Sequence, residues 1–324
     1  MAATVVAAIG IQRFGFNGRV VTLFYSLIFF FYFFAAAQRL SYETVLRFLK
    51  TTTLLLYVAI FFKVLIYWDI ISQGYGAQVF SAYFFFPGGP NIEVTWMALF
   101  LMFFLREKWW LFWFLALYVM GFALIYESRV GQLATVIMAG FYIAQRCHPR
   151  LMYGAALLLF GALVTAIIMI DYDALLAVIQ ENAVGRFAEV GDENDGFGKR
   201  VMMWGLAAPL IQQEWLLGYG VGNIMKLLQS GAEHNIIENN LHNIYVQFIA
   251  DLGIGVLLLF MALIFQVLHR YFSSRDKAPE LALLLVGYAL TGFVQFTGFE
   301  VLFWAIAGLY YGFYIQMKQV DTNG

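Results

Sequence analysis

The run from Ile244 to Leu268 constrains this chain most. At about 1.5 Å of rise per residue it can cross the roughly 30 Å of hydrocarbon in a bilayer as one helix. Comparable runs recur along the sequence, and a segment inside lipid finds no water for its backbone amides, so each must close its own hydrogen bonds as a helix. The chain is 62% hydrophobic and 12% charged, with 34 Phe, 19 Tyr and 8 Trp, which lies far outside the soluble globular range. The expected class is therefore an all-α polytopic membrane protein, and a water-soluble fold is excluded.

Spans are predicted at 20–37, 51–71, 92–105, 109–126, 130–145, 151–170, 243–268, 281–299 and 301–317. That makes nine transmembrane helices, or ten if the N-terminal segment is counted. Residues 1–12 lack the basic start of a signal peptide and are read as a truncated first helix or a short entry segment. The connections after the first, third, fifth and seventh spans carry Arg39, Arg47 and Lys50, then Arg106 and Lys108, then Arg146 and Arg150, then Arg270, Arg275 and Lys277; Lys318 follows the ninth. Every second connection is basic, as expected if those connections are cytoplasmic. Asp69, Glu93, Glu127 and Glu300 then fall in short turns on the other side, together with one long loop. The chain divides accordingly into N-terminal spans (1–170), the loop (171–242) and C-terminal spans (243–324). Residues 75–86, leading into Pro87-Gly88-Gly89-Pro90, are too apolar for a free loop and too short to span, so they lie in the outer interface or dip in and return. Lys63 sits within the second span, either as a functional cation or as one that snorkels or pairs with a carboxylate such as Asp69.

Other classes lose support in turn. The net charge of −1 gives no basic field for nucleic acid. Cys147 is the single cysteine, and no HExxH, CxxC or close His/Cys cluster specifies a zinc site. No internal repeat of the kind common in secondary transporters is visible.

The long loop holds ten carboxylates against Arg186, Lys199, Arg200 and Lys226, so an arginine there is either held by neighbours or reserved for an anion. Within residues 199–213, Met203, Leu206, Ala207 and Leu210 recur at helical spacing and form the stripe of an amphipathic helix. Arg200 lies one turn before Trp204 on that helix. Leu217-Gly218-Tyr219-Gly220-Val221-Gly222-Asn223 lacks the GxGxxG spacing and a preceding strand; it is either a tight bend or a set of amides facing a phosphate. Glu127-Ser128-Arg129 is a very short turn on the same side, and Leu241-His242-Asn243 closes the loop at the start of the next span.

Three of these segments form an ordered set. Ser128-Arg129-Val130-Gly131, then Lys199-Arg200-Val201-Met202-Met203-Trp204 with the glycine-rich segment, then Leu241-His242-Asn243-Ile244-Tyr245-Val246-Gln247 running into Asp251-Leu252-Gly253-Ile254-Gly255, resemble the O-antigen ligase and polymerase superfamily over roughly residues 125–260. The resemblance implies a bacterial inner-membrane glycosyltransferase similar to the GT-C type, with a large periplasmic loop and an active site facing the periplasm. It implies transfer of a glycan from undecaprenyl diphosphate to an acceptor hydroxyl without a metal or other cofactor. The acceptor is the growing glycan in a polymerase and the lipid A core in a ligase, and Gly253-Ile254-Gly255 leans towards the polymerase. Partners on this reading are the lipid-linked donor, the acceptor, the bilayer and a chain-length regulator.

The chemistry assigns roles within that set. A departing lipid diphosphate gathers negative charge, and arginine, permanently charged and bidentate towards phosphate, suits it; Arg129 and Arg200 are the candidates. The acceptor hydroxyl must lose a proton, and His242 is the candidate base, with hydrogen bonding to the diphosphate as its competing role. Asn243 or Glu238 would orient it. Arg186, Lys199, Trp204, Asn243 and Tyr245 are the candidate substrate contacts. Glu233 and His234 read as a solvated pair, His148 and His269 fall on the cytoplasmic side, and Asp251 and Glu300 are placed to pair with arginines. The competing classes are a flippase or transporter for a polyprenyl-linked sugar and a non-catalytic scaffold.

Overall fold

The computed structural model describes residues 2–74, 78, 82–146, 196–231, 240–273, 278–296 and 298–323. The sixth expected span, 151–170, lies outside them, as do Arg186, His148, Glu233, His234 and Glu238. Among the described residues every regular element is a helix: α1 (Ala2–Phe14), α2 (Arg19–Ala37), α3 (Tyr42–Ile66), α4 (Trp68–Ile71), α5 (Gly89–Phe100) with a 3-10 turn at Leu101–Phe104, α6 (Trp109–Ile125), α7 (Arg129–Ala144), α8 (Gly196–Gln213), α9 (Asn223–Gly231), α10 (Ile244–Phe272), α11 (Pro279–Thr291) and α12 (Val301–Asn323). Helices α2, α3 and α10 are long and apolar enough to cross a membrane, and α5 with its 3-10 turn, α6, α7 and α11 are shorter apolar helices. The protein is an all-α polytopic membrane protein.

Two expected boundaries move, for local reasons. Helix α3 begins at Tyr42 because Ser41 caps it, its hydroxyl accepting the Thr44 N–H at 3.2 Å, with Glu43 in the first turn beside the positive end of the helix dipole. Arg47 and Lys50 are therefore helical and do not lie in a connection. Helix α11 stops at Thr291, well short of 299, and the chain returns through a turn at Gly298 (φ 83°), whose N–H donates to Glu300 Oε2 at 3.0 Å and whose carbonyl accepts Trp304 Nε1–H at 2.8 Å.

The described residues fall into two compact units, one drawn from Met1–Val21 and His148–Met261 and the other from Thr22–Cys147 and Ala262–Gly324. In the second unit α5, α7 and α11 pack together around buried aromatics. Phe112 stacks on Tyr142 at 3.8 Å, and Tyr288 stacks between Phe296 at 4.4 Å and Phe303 at 4.1 Å. Gly308 and Gly312, one turn apart on α12, let the backbone of α2 come within contact at Phe30 and Phe34, the small-residue approach by which helices associate in lipid. The outer faces of α2 and α3 expose Phe31, Tyr32, Leu55, Leu65 and Ile66, which is the apolar surface a bilayer solvates.

Polar groups in this unit gather at its two ends. At one end Lys50 pairs with Glu107 at 2.5 Å, and buried Glu280 accepts from Tyr42 at 2.6 Å and forms an ion pair with Arg106 at 3.1 Å. At the other, Lys63 pairs with Glu93, which also accepts Tyr126 Oη–H at 3.0 Å and the Phe85 N–H at 2.8 Å. The Lys63 ammonium lies 4.3 Å from the Phe84 ring centre and 5.0 Å from that of Tyr126. Asp69 is thus not its partner, and Glu93 stands inside α5 with no exposure, where the sequence places it in an outer turn.

Candidate active site

The site grows from the start of α10. Asn243 caps that helix, its Oδ1 accepting the Tyr245 N–H at 2.9 Å and the Val246 N–H at 3.1 Å. This commits Asn243 Oδ1 to the start of the helix. The histidine just before the cap has φ 50°, a left-handed conformation that costs a non-glycine residue about 1–3 kcal/mol and persists only where its surroundings enforce it. They do so on both sides: the His242 N–H donates to Asn240 Oδ1 at 2.8 Å, and the Leu241 carbonyl accepts Trp204 Nε1–H at 2.6 Å.

Trp204 therefore ties α8 to the histidine segment. Helix α8 presents the expected stripe: Met203 and Ala207 are buried in a cluster with Tyr219, Ile224, Met225, Leu228, Leu241 and Ala250, and Leu206 and Leu210 pack against it. Half-buried Arg200 precedes Trp204 by one turn, about 6 Å along the axis, so its helix runs beside the segment that carries half-buried His242. Lys199 occupies the neighbouring position of α8.

The glycine-rich segment is a bend locked into a break in α10. Gly253 has φ 76° and ψ 173°, which interrupts the helical ladder. The Ala250 and Asp251 carbonyls, which would otherwise serve the next turn, accept the Tyr219 N–H at 2.8 Å and the Gly220 N–H at 2.9 Å; the Ile254 N–H turns to the Trp215 carbonyl at 2.9 Å. A Cβ at Gly253 would overlap the Leu216 carbonyl, and one at Gly218 would meet the backbone of 250–252. With the Tyr219 and Gly220 amides so used, the bend reading holds for those two positions and they cannot cradle a phosphate.

Helix α1 completes this unit. Arg13 forms a two-pronged pair with Glu214 at 2.6 and 3.0 Å, which holds that carboxyl below its ordinary range. Phe14 packs on Tyr219 with ring centres 5.2 Å apart, and Gly10 meets Gly220 backbone to backbone. The N-terminal segment is thus a helix seated on the glycine bend. Behind the bend lies buried Asp251, reached by Gln247 Nε2 at 2.7 Å, by the Gly222 backbone and by the field of Arg19.

Arg129 belongs to the other unit, exposed at the first position of α7. Ser128 caps that helix, accepting the Gly131 N–H at 3.0 Å, and Gly131 leaves room for Val94 of α5. Ser128 and Gly131 thus have local structural duties, Val130 is buried, and Arg129 stands exposed at the head of the helix.

Residues 115–261 match the family model described as O-antigen ligase. Over this segment, a little under half of the chain, the sequence is similar to the O-antigen ligase family. The match takes in Arg129, Arg200 and His242 together, and it supports an enzyme of the ligase and polymerase type. No curated protein and no solved structure matches the chain. The O-antigen ligase segment begins within α6 and ends within α10, so it contains the glycine bend and the helix break that receives it.

Proposed function

We propose that the protein transfers a glycan from undecaprenyl diphosphate to an acceptor hydroxyl on the periplasmic face of the bacterial inner membrane. The observation that carries this reading is the Trp204 to Leu241 hydrogen bond, which draws the arginine-bearing helix α8 alongside His242. His242 takes the proton of the acceptor hydroxyl as that oxygen bonds to the anomeric carbon; the bond from that carbon to phosphate breaks, and the diphosphate leaves with the electron pair. Arg200 and Arg129 offset the charge that develops on it, a contribution of the kind whose removal costs about a hundredfold or more in rate. Lys199 and Arg186 add charge for the head group, Tyr245 lines the acceptor side, and Trp204 and Asn243 act through the positions they hold. No step requires a metal. Growth of a repeat-unit chain is favoured over transfer to the lipid A core, with a chain-length regulator as partner.

A flippase would line a cavity with charge at membrane depth, whereas the Lys63–Glu93 pair is closed off by aromatic rings and is only 4% and 0% exposed at its side chains. That favours the transferase. The test is replacement of Arg200 and of His242 singly with alanine in the native host, with surface glycan displayed by gel. A polymerase defect leaves single-repeat glycan on the core; a ligase defect leaves long lipid-linked polymer and bare core. A normal ladder from both variants at normal protein level overturns the assignment.

A further inference from the structure

We infer that Gln247 is a positioning residue for His242, and that the pair Gln247 and Asp251 sets the direction of the imidazole from the glycine bend. This rests on the proposed role of His242 as proton acceptor.

Gln247 grips the chain on both sides of the histidine. Its backbone N–H donates to the Asn243 carbonyl at 2.8 Å, and its side-chain Oε1 accepts the Leu241 N–H at 2.9 Å. The other half of the same amide, Nε2, donates to Asp251 Oδ2 at 2.7 Å. Leu241, Gln247 and Asp251 are all fully buried, so water offers no substitute partner for any of these groups. The amide has one workable orientation, because Leu241 presents a donor and the carboxylate an acceptor.

The consequence falls on His242. The peptide plane before Leu241 is held through Gln247, and the plane between Leu241 and His242 is held at its carbonyl by Trp204 and at its N–H by Asn240. With both planes fixed and Asn243 committed to the helix cap, the left-handed φ of His242 is over-determined and its side chain leaves the backbone in one direction. The far end of the relay is anchored as well: the Asp251 carbonyl accepts from Gly220, and its carboxylate meets the Gly222 backbone. A shift of the bend is therefore passed through Asp251 and Gln247 to the peptide that precedes the histidine. Displacing a base by about 1 Å can lower a rate by as much as a hundredfold.

The experiment uses the purified full chain in nanodiscs, mixed with membranes of a host strain deleted for this gene, which hold both donor and acceptor. Added lipid-linked glycan extracted from that strain is varied, and the initial rate of glycan transfer is read on gels. For Gln247→Leu the expected result is a kcat lower by about tenfold to a hundredfold, with KM for the lipid-linked glycan within about twofold of the parent. Gln247→Glu keeps the acceptor for Leu241 but sets a carboxylate against Asp251, and it should be slow. The reciprocal double variant Gln247→Glu with Asp251→Asn restores a donor between the two residues and should return kcat to within about threefold, a rescue that bulk alone would not give. A parent-like kcat in Gln247→Leu, or a double variant no faster than the slower single, overturns the inference. The control is His242→Ala: a slow His242→Ala beside a fast Gln247→Leu overturns the inference alone, and a parent-like rate in His242→Ala overturns the base assignment and the inference with it.

Discussion

Lys63→Met should destabilise the protein by about 3–5 kcal/mol, because it strands the Glu93 carboxylate where Tyr126, the Phe85 amide and aromatic rings leave no water to replace the ammonium. Adding Glu93→Leu should recover much of that loss, since a buried pair exchanged for apolar groups of similar volume is often neutral. Thermal unfolding of the two variants in detergent decides it, and equal losses in single and double would show that the pair is not a unit. The cation within the span was legible in the sequence; its partner was not. Asp69 is near in the chain, but Glu93 comes from α5, thirty residues on, and only packing reveals such a neighbour. Asn243 teaches the opposite lesson. Its place before an apolar run is a helix-cap signal, and its Oδ1 makes that cap.

Among elements, the glycine bend and the break in α10 form one unit of structure. Gly253→Ala forces a Cβ into the Leu216 carbonyl at a backbone conformation open essentially to glycine alone. We expect a loss of at least about 1–3 kcal/mol and faster proteolysis after the bend is released, whereas Gly255→Ala, with open space around it, should be silent. Limited proteolysis of both variants beside the parent checks this, and equal cleavage would separate the break from the bend. Eight of the nine expected spans fall on helices because lipid leaves no other solution for such runs. The break went unseen because residues 244–268 are apolar apart from Gln247, Asp251 and Gln266, and hydropathy does not register a lost hydrogen bond. The glycines at 218, 220, 222 and 253 were the available sign, each with positive φ. The start of α3 was likewise legible at Ser41, a capping residue that hydropathy alone passes over.

For the whole molecule, the two polar ends of the Arg129-bearing unit predict an orientation. With Cys147 replaced, a cysteine at exposed Glu127 should react with a membrane-impermeant maleimide in intact spheroplasts, and one at Lys318 only after permeabilisation. The reverse pattern would turn the protein over and remove the periplasmic site. The sequence supplies an expected orientation through its basic connections, which the labelling tests, whereas the union of α1 with the glycine bend and the helix break was not legible, since α1 lies about two hundred residues from the rest. That union bears on where His242 stands relative to the spanning part of its helix. Past Gly253, residues 254–272 alone rise about 28 Å, enough to traverse the hydrocarbon. Residues 244–252 are thus surplus to crossing and form a short pedestal which, with its glycine collar, carries His242 beyond the spanning length of the helix.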